Sequence, residues 1–336
     1  MNASPIDAPE YLPFRLDLVG QRMLWLRLDA AQRQDAAFLD ERALPPRPEG
    51  GWLPLSAWLP EASVVPARPA DAIAHIGHCG STLLSRVLDT WPDVQALREP
   101  LPLRTLADAW PTRGQADARV SVPAAERLLR ASWTAWSRPL PPAQRSVVKL
   151  TSSCNGLVEP VLRAFPAMRM VLLDMPLRPW LATLAKSPES MLDAAQAAPE
   201  RLRLLQARGV GEGLALHAMS LPEQCAMGWL AERLRFRALA EAYSERVLRV
   251  DFEALLARPG EVLAEVAAHL GLDAQGLPAA LASRHWGRYS KAQDHGYTRE
   301  DRAHDLALAL QRHGADIAKG ERWVEGMRDR HGTAVD

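Results

Sequence analysis

From Asp71 onward, solid apolar runs alternate with segments whose apolar residues recur every three or four positions. The runs Asp71–Ile76, Val94–Arg98, Ser146–Leu150, Met168–Asp174 and Arg246–Phe252 read as strands. Residues 81–91, 156–165, a stretch from about Arg178, most of 188–243, and 252–257 with 260–270 carry helical spacing. Strands that lack a polar face must be covered on both sides. The pattern therefore predicts an α/β fold, a three-layer α/β/α arrangement with a mainly parallel central sheet and a helix-rich C-terminal half. Before residue 71 the texture changes: Met23–Leu28 alternates, and a proline- and glycine-rich run fills 45–69. This reads as an N-terminal extension, 1–70, with a strand or short helix and a long ordered loop, ahead of a main domain at 71–336.

Composition narrows the classes. Forty Lys and Arg against forty Asp and Glu give a net charge of zero over 336 residues. That balance argues against a nucleic-acid partner, which calls for excess basic charge, but it leaves room for a local basic pocket. Three cysteines, Cys79, Cys154 and Cys225, make no disulfide framework and no CxxC zinc pattern, so they read as thiols in a reducing compartment. The histidines show no metal-ligand spacing, and no metal is expected. The start, MNASPIDAPEYLPF, has neither a basic nor an apolar leader region. No apolar stretch approaches the roughly 18 residues of a membrane span. The expectation is a cytoplasmic protein with no membrane partner. The 11 tryptophans read as core residues.

The most informative stretch is Gly77-His78-Cys79-Gly80-Ser81-Thr82, set between a predicted strand and a predicted helix. Strand, glycine-bearing loop and helix in that order gather backbone N–H groups and a helix N-terminus at one point, which suits a phosphate-like anion. A plain N-cap in a tight turn would look the same. The GxxxxGK[ST] pattern is missing, which weakens an ATPase or kinase reading. Cysteine-dependent phosphatase chemistry needs a spacing one residue shorter than the six (Gly80 to Ser85) between Cys79 and Arg86. Cys79 is thus read as a loop thiol near a phosphate. Lys149 ends a predicted buried strand beside Thr151, Ser152 and Ser153, at the sheet edge where ligands of α/β proteins gather. An anion there would offset the cost of burying it, and a side chain reaching to solvent is the alternative.

The segment His75–Pro100 resembles the sulfotransferase family, which has a P-loop fold and uses 3′-phosphoadenosine 5′-phosphosulfate as co-substrate. Gly77 to Leu84 fits the frame of the family's phosphosulfate loop, with His78 where a Lys or Arg is usual. Arg98-Glu99-Pro100 resembles the motif ending the second strand of many bacterial members. The stretches 146–173 and 247–272, and Arg288-Tyr289-Ser290-Lys291 with Tyr297, resemble further blocks in family order. The resemblance implies donor contacts from Gly77, His78, Cys79, Gly80, Ser81, Thr82 and Lys149, with Arg288 and Lys291 closing over the donor. It also implies a 3′-phosphate grip by an Arg after the strand at 168–173 and by a Ser further on. Asp174 stands in the Arg position here, Thr183 near the Ser position, and Arg178 or Lys186 is the candidate replacement cation.

Glu99 is the expected general base. Pro100 biases it toward an extended backbone, and partial burial would raise its pKa toward neutrality. A structural ion pair with Arg98 or Arg104 is the competing role. His78 is expected to share in catalysis as a cation or N–H donor. The implied activity is sulfuryl transfer to a hydroxyl or amine of a small-molecule acceptor. A P-loop phosphotransfer protein with another donor, motivated by Asp174, and a non-catalytic protein of this fold remain as alternatives.

Overall fold

The structure, a computed structural model, describes Ile6, residues 8–59 and residues 66–335. The first five residues and positions 60–65 of the proline-rich run lie outside the described residues.

The N-terminal region is more ordered than its composition suggests. Strands β1 (Tyr11–Asp17), β2 (Arg22–Arg27) and β3 (Gly50–Pro54) form an antiparallel sheet, with short helices α1 (Ala30–Asp35) and α2 (Leu55–Trp58). Met23–Leu28 alternates because one face of β2 meets the core, where Trp25 is fully buried edge-on to Trp58 at 5.4 Å.

The main sheet holds β4 (Asp71–His75), β5 (Val94–Arg98), β6 (Arg145–Lys149), β7 (Met170–Asp174) and β8 (Val247–Asp251). Its order is β5-β6-β4-β7-β8 and every pairing is parallel. Every residue of β4, β5 and β7 is buried, as unbroken apolar runs require. The edge strand β8 is only partly covered, with Val247 and Val250 buried and Arg249 exposed.

Helices α3 (Ser81–Leu88), α4 (Leu101–Ala109), α5 (Val122–Trp136) and α6 (Val158–Ala164) connect and cover the first strands. The stretch predicted as largely helical resolves into α8 (Pro188–Gln196), α9 (Ala198–Ala207) and α10 (Leu221–Ala242), after α7 (Leu177–Ala185). Prolines at the first turns of α8, α9 and α10 mark those starts. Beyond β8 lie α11 (Phe252–Ala257), α12 (Pro259–Leu270), α13 (Leu277–Leu281), the hairpin β9 (Arg288–Tyr289) and β10 (Ala292–Gly296), and α14 (Arg299–His331).

Sequence periodicity missed α14, a 33-residue helical segment kinked at His313 and rich in charged residues. Its capping box, Thr298 with Asp301, was the local signal for its start. It packs against α7 and α10, closely enough that a Cβ on Gly320 would stand 2.8 Å from Leu181. One hydrophobic core runs from Leu12 and Trp25 through the main sheet to Val324 and Met327. Among the described residues no helix is long and apolar enough to cross a membrane.

Candidate functional site

The loop after β4 is held from beneath. His75 is buried, and its Nδ1 accepts from the Gly77 N–H at 3.0 Å, so its Nε2 carries the proton donated to the Leu150 carbonyl at 2.8 Å. Burial, reinforced by the Lys149 charge, pushes this imidazole down to about 3 and keeps it neutral. Asn155 donates to the His75 carbonyl at 3.0 Å, and Trp180 on α7 donates to the Gly77 carbonyl at 2.8 Å. Gly77, His78 and Gly80 have φ of +84°, +52° and +76°. At Gly80 only glycine fits, since a Cβ would lie 2.0 Å from the Phe252 ring. No side chain caps α3, whose first residues, Ser81 and Thr82, line a cavity of about 970 Å³ together with the loop. Uncapped N–H groups at a helix start beside such a space are suited to an anion.

Glu99 and Lys149 meet at the C-terminal edge of the sheet. Their strands run in register, Arg98 beside Lys149, and the Glu99 N–H donates to the Lys149 carbonyl at 2.7 Å. The Lys149 ammonium pairs directly with the Glu99 carboxylate, with both side chains buried. Arg104 on α4 pairs with the other carboxylate oxygen at 2.8 Å, and Thr151 donates to that oxygen at 3.2 Å. Two expectations for Glu99 are corrected here. Its backbone is left-handed, φ +54°, rather than extended, because the chain turns sharply into α4 while the carboxylate is drawn back to Lys149. Burial does press its pKa upward, but Lys149 and the other positive neighbours outweigh it and hold the carboxyl at about 2. Arg98 is not its partner: that guanidinium pairs with Asp89 at 2.6 Å and with the carbonyls of Arg33, Gln34 and Ala36.

The cavity also gathers Thr183, Arg288 and Lys291, so all but one of the sequence candidates share it. The exception is Arg178, which projects outward from α7, 62% exposed, and pairs with Glu321 of α14 at 3.0 Å. Lys186, one turn after Thr183, does reach the cavity, where it pairs with Asp305. The Thr183 hydroxyl donates to the Pro179 carbonyl at 2.8 Å. His78 reaches toward α8, with Nε2 3.4 Å from the Asp193 carboxylate.

Two further expectations change. The Cys79 thiol does not stand free in the loop. It turns into the core against the Leu173 carbonyl at 3.4 Å, and burial pushes it up to about 12, so nucleophilic thiol chemistry is closed to it. Arg86 lies off the loop, as its spacing from Cys79 implied, donating to the carbonyls of Ser290, Gln34 and Asp35. Asp174 does not face the cavity; it is buried at the end of β7 between Arg249 at 3.0 Å and Arg233 at 3.4 Å.

Sequence reading missed Phe38, Arg42 and Arg302, all of which line the cavity, while Arg104 was named as a possible partner of Glu99. No local motif marks them. Phe38 and Arg42 belong to the N-terminal region and reach the site only because Arg98 and the Leu39 N–H, donating to the Arg98 carbonyl at 2.6 Å, dock that segment on β5. Ten Lys and Arg against four acids line the cavity among the described residues, so a chain of zero net charge concentrates positive charge here. Among the described residues no three His, Cys, Asp or Glu gather as a metal-ligand group.

No family model matches the chain, and no curated protein matches it. Solved structures do. The sulfotransferase domain from the curacin biosynthetic pathway is 13% identical, covering 73% of this chain and 90% of that chain at a TM-score of 0.42. A sulfotransferase from Mycobacterium avium is 15% identical, covering 75% and 78% at 0.38. A mouse sulfotransferase complexed with PAP is 11% identical, covering 80% and 93% at 0.33.

Proposed function

We propose that this protein is a sulfotransferase, moving a sulfuryl group from 3′-phosphoadenosine 5′-phosphosulfate to a hydroxyl or amine of a small-molecule acceptor. One observation carries the reading: an uncapped anion loop and a buried Lys–Glu pair open onto one cationic cavity at the C-terminal edge of a parallel sheet. The residues fit a donor charged at both ends. Gly77 to Thr82 and Lys149 would hold the 5′-phosphosulfate, with His78 as an added N–H donor. Lys186, Arg288, Lys291, Arg299 and Arg302 line the same cavity and would supply positive charge for the rest of the nucleotide.

Sulfuryl transfer, like phosphoryl transfer, is catalysed by positioning and by opposing charge on the transferring and leaving oxygens. Lys149 and the loop amides would do the latter. Glu99 would take the acceptor's proton. With Lys149 fully engaged, Glu99 is ionised but weakly basic. A donor anion that draws the ammonium away removes the main stabiliser of the carboxylate, so basicity rises when the site is filled. The three free, buried cysteines accord with a cytoplasmic enzyme.

The alternative with another donor rested on Asp174, and that residue is sealed away between two arginines. Thermal unfolding with adenosine 3′,5′-bisphosphate, ATP and GTP tests the reading. A ligand at 100 times its Kd adds about 2.7 kcal/mol of stability. The bisphosphate should raise Tm most. A larger shift with ATP or GTP would assign a different donor, and no shift with any would favour a non-catalytic protein.

A further inference from the structure

Phe38 occupies an unusual position for a core-type residue. It is 9% exposed, lines the cavity, and has three cations around its ring: Arg42 at 3.8 Å, Lys149 at 5.7 Å and Lys291 at 5.8 Å from the centroid. Arg42 is itself held by Asp40. Lys149 pairs with Glu99. Lys291, on the turn of the β9–β10 hairpin, makes no hydrogen bond or ion pair with any described residue, and the ring is its cation contact. The neighbouring ammonium of Lys149 repels it.

An aromatic face attracts cations through its quadrupole yet carries no net charge. A carboxylate in the same place would hold the lysines and cancel them. The ring adds no neutralising charge of its own, so Lys291 stays available to an anion and Lys149 is countered by Glu99 alone. Phe38 is in turn fixed by its flanks. Arg98 binds the carbonyls of Arg33, Gln34 and Ala36, the Leu39 N–H donates to Arg98, and the Leu101 N–H donates to the Leu39 carbonyl at 3.2 Å.

We propose that Phe38 is a positioning residue, which holds Lys149 and Lys291 together in the cavity of the anion loop without neutralising them. The N-terminal region is thereby part of the transfer site. The inference rests on the anion-binding reading of that cavity. In the full chain, Phe38→Leu keeps apolar bulk but loses the ring, and Phe38→Tyr keeps the ring; Phe38→Met replaces the leucine variant should that one unfold. Calorimetric titration with adenosine 3′,5′-bisphosphate and with inorganic pyrophosphate is the readout. Phe38→Leu should weaken both by roughly tenfold while Phe38→Tyr stays within about twofold of the parent. In a Lys291→Met background the Phe38→Leu penalty should fall by about half or more, because the lysine through which the ring acts is gone. Unchanged affinity in Phe38→Leu, equal losses in the Leu and Tyr variants, or a full penalty in the Lys291→Met background would each overturn the proposal. A parent that binds pyrophosphate but not the bisphosphate would defeat the donor assignment while the Phe38 comparison stands on pyrophosphate. A parent that binds neither would overturn both.

Discussion

Two adjacent strand ends of the main sheet, those of β4 and β7, meet opposite fates. The strands are hydrogen-bonded neighbours, His75 beside Leu173, and each turns into a helix that no side chain caps. After β4 the turn is glycine-rich and left-handed, and it lines the cavity. After β7 the turn is stopped by α10, where Trp229 donates to the Met175 carbonyl at 2.9 Å and Arg233, one helical turn on, pairs with Asp174. The same sheet edge thus yields one open junction and one sealed junction. What differs is both the local turn, left-handed only after β4, and the partner arriving from elsewhere in the chain, which at β7 brings Arg233 and Arg249 onto Asp174.

The largest effect should come from the open side. Glu99→Gln keeps size and polarity but cannot take a proton, so turnover should fall on the order of 10²–10⁴-fold while bisphosphate affinity is retained. Steady-state kinetics with titration of the product nucleotide would check it, and full turnover would remove Glu99 as the base.

Gly80→Ala tests how tightly the open junction is built. The new Cβ meets Phe252 at 2.0 Å in a left-handed residue, so the substitution should cost about 3 kcal/mol or more in urea unfolding. A stability near that of the parent would mean the loop is looser than its geometry implies.

Acid should act on the same side. Glu99 is depressed from an ordinary value of 4.5 to about 2, so its pairing stabilises the fold fully above about 4.5 and is lost as pH falls toward 2. The loss is on the order of 3 kcal/mol by linkage. Stability curves of parent and Glu99→Gln should therefore converge on acidification. Parallel curves across that window would show that Glu99 is not so held.

The smallest effect belongs to the sealed side. Asp174→Asn leaves two part-exposed arginines, so it should cost only about 1–2 kcal/mol and leave bisphosphate affinity within about twofold. Asp174→Arg should bring no gain in preference for the 3′-phosphate. A clear gain would reopen the β7 junction as part of the nucleotide site.

The sequence alone was enough for the alternation of buried strands and helices, the glycine loop between strand and helix, and the separate placing of Glu99 and Lys149 at the sheet edge. These follow from periodicity, from glycine where the backbone must turn left-handed, and from the parallel topology that brings strand ends to one side. Only the tertiary structure decided what those groups do. The ionisation of Glu99 depends on Lys149, fifty residues away. The burial of the Cys79 thiol depends on Leu173, and the sealing of Asp174 depends on Arg233 and Arg249. Phe38 reaches the lysines through contacts spanning more than a hundred residues of chain. Charge and burial are set by whichever groups the fold brings within a few ångströms, and local sequence carries no record of that proximity.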